Sequence, residues 1–424
     1  MKVLVITYYW PPSGGPGVQR WLKFVKYLPD FDICPIVLTI DPACAEYPIL
    51  DPSLEADIDP ELKVYRTYSK NAYNLYKKFT GSKTAPYSGF ANEGKPNLLQ
   101  KIARFIRGNF LLPDARRGWI KYAFHEACRI IEKYGIETVI TTGPPHSTHL
   151  TGLKLKKKYD LKWIVDFRDP WSTIYYSDAL YQTNWAKRIN MQQEQSVLDA
   201  CNYMLLVADE REKLKIDSSK VVFIPNGFDT GDFLKKQPVI SDIFTICYTG
   251  TIAENYPTEK LIEALSMLKR EFVFKFRFVG KLSENIKNDF INKLGDYVEF
   301  IDFVSHDEAI DIMMSSDVLL ALIPKAENNK YILTGKLFEY LATGKQVLIV
   351  GPTDSKAAEI VRQANAGAAF DYDDMDGIRG FLSQQYDNHK KRNYPVTDWE
   401  VILQFSRERL TQRLADILFF YHQK

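Results

Sequence analysis

The residues best suited to chemistry lie in the run Thr-Gly-Lys-Leu-Phe-Glu-Tyr-Leu-Ala-Thr-Gly, from Thr334 to Gly344. The leucine spacing predicts a helix, and Lys336 and Glu339 share one face of it because they are three residues apart. The free N–H groups at its start, near Thr334 and Gly335, attract phosphate. Lys336 adds a positive charge, and Glu339 can accept two hydrogen bonds from a ribose diol. The run suits a nucleoside diphosphate, while an ordinary Lys–Glu surface pair stays open as the alternative.

Two other segments of the second half supply parts for the same site. Gly250 and Thr251 follow a predicted strand over Thr245–Thr249, and Lys281 follows another over Lys275–Val279. Carboxyl ends of parallel strands meet at one edge of a sheet, so we expect these residues to converge with the helix described above.

The first half has a glycine loop between its first predicted strand and first predicted helix, from Pro11 to Gly17. Gly14 and Gly15 would let backbone N–H groups approach an anion. The dinucleotide-binding spacing is absent, and Pro16 has no N–H to donate. The loop is therefore either a ligand loop or a tight turn that needs glycine.

His146 follows a Gly-Pro-Pro corner at the end of a predicted strand over Thr138–Thr142. At that edge its imidazole could hydrogen-bond a sugar hydroxyl or a phosphate. A purely structural histidine is the alternative.

Arg168 stands between Asp166 and Asp169 at the end of the next predicted strand. These charges form either a clamp for substrate or a self-satisfied ion cluster. We expect Pro170 to end the strand and to expose Trp171, whose ring could stack on a ligand.

The sequence contains no credible metal cluster and no nucleophile elbow. It therefore predicts chemistry by positioning and charge stabilisation, with no metal and no cofactor.

Composition narrows the function classes. The chain has 424 residues and a net charge of +2, which predicts two or three domains and argues against a dedicated nucleic-acid binder. No apolar run approaches the length of a membrane span, and the apolar N-terminus is typical of a first strand rather than a signal peptide. Five scattered cysteines fit a reducing compartment, so we expect a cytoplasmic location.

Strands and helices alternate through both halves, which predicts two doubly wound, Rossmann-like α/β domains. We expect the first domain over residues 1–230, the second over 231–398, and a helical tail over 399–424. The polar stretch from about Tyr68 to Asn97 is expected to be a long mobile loop.

The segment 98–117 mixes apolar and basic residues. One predicted helix face carries Leu98, Ile102, Phe105 and Ile106, and the bases off it are Lys101, Arg104 and Arg107. A core-facing helix with a solvated basic side is one interpretation. A helix lying on an anionic membrane surface is the other.

Taken together, these motifs resemble family 4 of the retaining glycosyltransferases, whose GT-B fold has two Rossmann-like domains facing each other across a cleft. The glycine loop, the Gly-Pro-Pro-His-Ser corner at 143–147 and the Asp-Phe-Arg-Asp-Pro-Trp run at 166–171 resemble a subgroup found in bacterial surface-polysaccharide synthesis. Pro-Asn-Gly-Phe-Asp at 225–229 is similar to an interdomain motif, and the run from Lys336 to Ala342 resembles the second half of the family's signature.

The resemblance implies a hexosyltransferase that moves a sugar from a nucleotide sugar to a glycan or lipid-linked acceptor, without a metal. Glu339 would hold the donor ribose, Gly250 and Lys281 would neighbour the diphosphate, and His146 would face the transferred sugar. The last helix would cross back to the first domain. The base, the sugar and the acceptor are left open.

Two alternatives remain. A nucleotide-sugar epimerase or hydrolase of the same fold could use Asp166, Asp169 and Glu194 as acid–base groups. A non-catalytic nucleotide-sugar-binding relative is favoured by Tyr331, which stands where the family's signature has its first glutamate.

Overall fold

The computed structural model describes residues 1–70, 98–174, 177–208, 216–234, 236, 241–254, 256–326 and 329–420. Most of the stretch expected to form a mobile loop, residues 71–97, lies outside the described residues. The chain divides into two compact units. Unit 1 comprises Met1–Ile224 and the segment that begins at Thr411, and unit 2 comprises Pro225–Leu410. The sequence places its boundaries at 230 and 398.

Unit 1 is built around a parallel sheet that has seven strands within the described residues, in the order β3-β2-β1-β4-β5-β6-β7. The strands are β1 Lys2–Ile6, β2 Cys34–Ile40, β3 Lys63–Thr67, β4 Thr138–Gly143, β5 Lys162–Phe167, β6 Tyr203–Leu206 and β7 Val221–Phe223. The helices around it are α1 Pro16–Tyr27, α2 Leu98–Phe110, α3 Ile120–Tyr134, α4 Ser147–Lys158 and α5 Asn184–Ala200. β7 was not predicted, because three residues are too short to show a pattern.

Unit 2 repeats this plan with six described strands in the order β10-β9-β8-β11-β12-β13. The strands are β8 Phe244–Ile252, β9 Phe274–Leu282, β10 Val298–Ile301, β11 Val318–Leu322, β12 Gln346–Val350 and β13 Gly367–Phe370. The helices are α6 Thr230–Leu234, α7 Glu259–Leu268, α8 Glu284–Leu294, α9 His306–Met314, α10 Gly335–Ala342, α11 Lys356–Gln363, α12 Met375–Lys391 and α13 Trp399–Leu403. One buried cluster, which includes Tyr248 and Phe278, covers one face of this sheet, and another, which includes Cys247 and Leu337, covers the opposite face.

The prediction of doubly wound α/β architecture is confirmed in both units. The central strands are buried on both faces, as their unbroken apolar runs predict. In each sheet the strand order reverses beside the first strand of the unit, between β1 and β4 and between β8 and β11. Ligands of doubly wound sheets bind at the carboxyl edge of such a reversal, which marks where a site is expected.

The helical tail differs from its prediction, because it is broken between α13 and a last helix, α14 Arg407–Phe420. At the break, the N–H of Phe228 donates to the carbonyl oxygen of Phe405 at 3.2 Å, and the N–H of Arg407 donates back to Phe228 at 2.8 Å. At this point the N–H of Arg407 bonds to Phe228 and not to the preceding turn of the tail, so the helix is interrupted. The helical spacing of apolar residues nevertheless continues across the break.

None of the helices in the described part of the chain is both long and apolar enough to cross a membrane.

Candidate functional site

In unit 2, helix α10 is hydrogen-bonded to the carboxyl end of β8 through the side chain of Tyr340. Its hydroxyl oxygen accepts the backbone N–H of Thr249 at 2.9 Å. Leu337 and Leu341 are buried beneath the helix, as the leucine spacing predicts. Gly344, which follows the helix, has the left-handed φ of +69° that glycine adopts readily. This packing presents the first turn of α10 to the edge of the sheet.

Lys336 lies in that first turn and reaches over the end of β8. Its ammonium donates to the Tyr248 hydroxyl at 2.7 Å and lies 4.1 Å from the centre of the same ring. Burial lowers the pKa of Lys336 to about 7, against a smaller opposing effect of Glu339. The side chain is therefore a cation that is poorly compensated in the free protein, and a bound anion would stabilise its charge.

Two glycines on neighbouring strands leave space for this lysine and for any ligand beside it. Gly250 and Gly280 are paired across β8 and β9, with φ of +120° and +126°. A Cβ atom at Gly250 would lie 2.8 Å from the Lys336 Nζ, and one at Gly280 would overlap the carbonyl oxygen of Gly250. The sequence predicted that these strands end at Thr249 and Val279, which is wrong, because both strands run on through the glycines.

The other donor-site residues predicted in unit 2 surround these. Thr251 and Lys281 are paired across the same two strands, and both are exposed. Thr334 is the N-cap of α10, and Gly335 is its first residue, both half-buried.

Glu339 lies one turn beyond Lys336. Its Oε1 is 3.9 Å from Nδ1 of His306, whose Nε2 lies 3.3 Å from Asp232. Burial raises the pKa of Glu339, while His306 and Arg407 act to lower it. Sequence reasoning missed both His306 and Tyr248, because neither stands at a recognisable spacing from α10.

In unit 1, the carboxylate of Asp166 is satisfied by a buried cluster. It binds the Arg20 guanidinium at 2.9 Å, Nε1 of Trp21 at 2.6 Å and the Thr142 hydroxyl at 2.9 Å. Asp166 and Arg20 are both fully buried. The ion cluster expected around Arg168 is therefore formed by Arg20 instead.

Arg168 binds backbone rather than carboxylates. Its side chain donates to the carbonyl oxygens of Gly143, at 3.3 Å, and of Pro144. The guanidinium also fills the space beside Gly17, where any Cβ would overlap it. Arg168 therefore hydrogen-bonds to the end of β4 and packs against the first turn of α1. The neighbouring Asp169 is exposed.

His146 directly follows the Gly-Pro-Pro corner at the end of β4 and precedes α4, and it is only 8 % exposed. Its ring stacks on Trp171 with centroids 5.0 Å apart and planes 10° apart. Burial lowers the pKa of His146 to about 3, so the imidazole is neutral near pH 7. The expectation that Trp171 is exposed is wrong, because it is 3 % exposed and its Nε1 donates to Asn190 at 2.8 Å.

The two loop glycines differ in their surroundings. The N–H of Gly14 donates to the carbonyl oxygen of Ile49 at 3.0 Å, so that this donor is already used. Gly15 is the N-cap of α1 with φ of +102°, and a Cβ there would meet no atom within 4 Å. Of the pair, Gly15 is the one with room for a ligand.

Gly250→Ala tests the close approach of Lys336. The added methyl group would push the ammonium aside and would lie at a φ that favours glycine, so we expect a loss of about 1–3 kcal/mol in the free energy of unfolding. Thermal unfolding measures it. Gly295→Ala is the control, since Gly295 also has positive φ (+58°) but has no atom within 4 Å of the Cβ position. Equal losses in both variants would show that backbone strain alone matters.

Comparison with known proteins shows similarity in structure but not in sequence. No protein-family model matches the chain, and no curated protein matches it by sequence. It is similar to the solved sucrose-phosphate synthase of Thermosynechococcus elongatus, with TM-score 0.64 and 12 % identity over 100 % of this chain and 99 % of that one. It is also similar to a glycosyltransferase from Rickettsia africae ESF-5, with TM-score 0.62 and 15 % identity over 98 % and 97 %.

A third similar structure is that of Anabaena HepE in complex with UDP-glucose, with TM-score 0.63 and 13 % identity over 99 % of both chains. At such identities the likeness establishes the fold. The chain therefore has the α/β fold with two parallel sheets of the GT-B glycosyltransferases.

Proposed function

We propose that this protein is a glycosyltransferase that moves a sugar from a nucleotide-sugar donor to a glycan or lipid-linked acceptor, with retention at the anomeric carbon. The observation that carries the proposal is the Lys336 ammonium held by Tyr248 above Gly250, where the strand order of unit 2 reverses. A cation, open glycine backbone and a helix N-terminus at that edge suit a diphosphate.

In this proposal, Lys336 stabilises the negative charge that develops on the leaving diphosphate. Because its pKa is about 7, Lys336 gains a proton as the anion binds when the pH lies above that value. Lys281 and the first N–H groups of α10 would add to the same stabilisation. The leaving diphosphate would help to deprotonate the acceptor on the same face of the sugar, and no divalent metal is required.

Glu339 would accept hydrogen bonds from the donor ribose. Its carboxylate has two oxygens that can each accept hydrogen bonds. Nδ1 of His306 lies 3.9 Å from Oε1. Similar folds solved with UDP-glucose lend support to a nucleotide-sugar donor.

His146 would hydrogen-bond a hydroxyl of the transferred sugar, held in place by Trp171. Because the imidazole is neutral, its role would be positioning rather than proton donation at pH 7. Arg168 and Asp169 would support the same region of unit 1. On the basis of motif resemblance, we place the protein in family 4, among the hexosyltransferases of cell-surface polysaccharide synthesis. The scattered cysteines favour a cytoplasmic location.

The arrangement of carboxylates argues against the epimerase alternative. Asp166 is fully buried and bound by Arg20, Trp21 and Thr142, and Glu194 hydrogen-bonds the hydroxyl of Ser172. Of the three carboxylates, this leaves Asp169 as the candidate acid–base group. Acid–base exchange at a sugar carbon requires acid and base groups that are positioned on the reacting atom, and one exposed carboxylate does not supply both. The binding-only alternative predicts donor binding without turnover in the presence of any acceptor.

Calorimetric titration with UDP, GDP, ADP and CMP tests the donor site. We expect one diphosphate to bind, and Glu339→Ala to raise its dissociation constant by at least about 100-fold, because two hydrogen bonds to a charged carboxylate contribute about 1.5–3 kcal/mol each. Glu359→Ala is the matched control, since Glu359 is half exposed and its carboxylate contacts Lys356 and Gln363 of its own helix. No binding by any nucleotide, or equal affinity in Glu339→Ala, would refute the assignment.

A further inference from the structure

Helix α2 of unit 1 is packed with its apolar face outward. Its buried residues are Ala103, Arg104, Gly108 and Asn109. Its large apolar side chains are all exposed, at Leu98 73 %, Leu99 57 %, Ile102 49 %, Phe105 40 %, Ile106 47 % and Phe110 61 %. The core-facing interpretation of this helix is therefore wrong. We call these six exposed side chains the α2 apolar face.

Specific contacts fix this orientation. Gly108 packs so closely on the carbonyl of Leu180 that a Cβ would overlap it. The Asn109 side chain donates to the carbonyl of Tyr181 at 3.1 Å and accepts the N–H of Thr183 at 2.8 Å. Since Thr183 is the N-cap of α5, the small and polar side of α2 is joined to a stable helix of the unit. The orientation is thus built into the fold, and rotating α2 inward would break these bonds.

The charged residues of α2 itself are all basic, while the exposed Asp178 lies in the short segment Ser177–Leu180 that packs against the helix. The sequence 98–110 contains no acidic residue, and Lys101 is exposed beside the apolar side chains. Arg117, which follows α2 and donates to the carbonyl oxygen of Phe110 at 3.2 Å, is exposed as well. Trp185, in the first turn of α5, adds an exposed amphipathic ring at 59 %. Apolar and aromatic side chains with a basic border are typical of helices that lie in a lipid interface.

We propose that the α2 apolar face docks on the surface of an anionic lipid bilayer, with the helix parallel to the membrane plane. The six apolar side chains would enter the acyl boundary, and the basic residues would face lipid phosphates. Charge favours this occupant over a second copy of the chain, because an isologous contact would bring the same basic residues together. The inference is independent of the donor site, which lies in unit 2.

Vesicle co-sedimentation tests the proposal with the full chain. We expect binding to phosphatidylcholine vesicles that contain phosphatidylglycerol, weaker binding at high salt, and little binding to phosphatidylcholine alone. The triple variant Ile102→Ser, Phe105→Ser, Ile106→Ser should lower the partition coefficient at least about tenfold. These side chains are exposed, so the variant should fold, and an unchanged urea unfolding curve would verify it.

A control removes three apolar side chains of unit 2 that are more exposed than those replaced in α2. Leu234, Val273 and Val396 are exposed by 81 %, 65 % and 81 %, and replacing all three with serine should leave vesicle binding unchanged. The proposal is overturned if the wild type does not sediment with anionic vesicles at low salt, or if the α2 variant binds as well as the wild type. Concentration-dependent dimerisation that only the α2 variant loses, without vesicle binding, would assign the face to a second copy.

Discussion

Replacing Asp166 with alanine is expected to lower the free energy of unfolding by about 3–5 kcal/mol, the usual cost of removing one partner of a buried ion pair. The carboxylate neutralises Arg20, and both side chains are fully buried. Without it, the Arg20 charge and the Trp21 and Thr142 donors would lose their acceptor. Urea unfolding followed by tryptophan fluorescence measures the loss, since Trp21 itself binds this carboxylate.

Two further variants make this prediction specific. Asp160→Ala is the control, because Asp160 is exposed in the same unit and should change stability by less than about 0.5 kcal/mol. Asp166→Asn keeps an acceptor for Trp21 but loses the charge that faces Arg20, so it should fall between the wild type and Asp166→Ala. Near-normal stability of Asp166→Ala would contradict the buried pair.

Lys336→Met is expected to weaken nucleoside-diphosphate binding by roughly 100-fold, and to remove most of the pH dependence of binding. The Lys336 ammonium is held by Tyr248 above Gly250, so its removal takes a cation away from the proposed phosphate position. A hydrogen bond to a charged group contributes about 1.5–3 kcal/mol, which corresponds to this range of affinity. Calorimetry at several pH values measures both effects.

The sign of the pH dependence follows from the lowered pKa. Below pH 7 the wild-type Lys336 is already protonated, and binding takes up no proton. Above pH 7 the free lysine is neutral, and the anion must recruit a proton as it binds. The dissociation constant of the wild type should therefore rise by up to tenfold per pH unit above about pH 7.5, which is above the second phosphate ionisation near 6, and should level off once the total rise nears the roughly 100-fold effect of the charge.

Lys356→Met is the control for charge, since Lys356 is exposed and pairs with Glu359. It should leave the affinity and its pH slope unchanged. Proton uptake can be read independently from the dependence of the binding enthalpy on the ionisation enthalpy of the buffer. An affinity of the wild type that does not change above pH 7.5 would contradict the role of Lys336.

Local pattern was sufficient to predict much of this molecule. The unbroken apolar strands, the leucine spacing of α10 and the position of Gly344 depend on residues that are close in the chain. The sequence could therefore predict two doubly wound sheets and could place Lys336 and Glu339 on one helix at a sheet edge. It could also predict which loops follow the strands, because the carboxyl ends of parallel strands lie together.

Tertiary structure decided which partner each polar side chain takes. Asp166 pairs with Arg20 rather than with the adjacent Arg168, and Tyr248 supports Lys336 although nothing in their spacing shows it. The periodicity of α2 shows an apolar face but not the direction it points. That direction depends on Gly108 and Asn109, whose contacts lie around residue 180. Partners distant in sequence leave no periodic signal, because packing and hydrogen bonding select them only when the chain is folded.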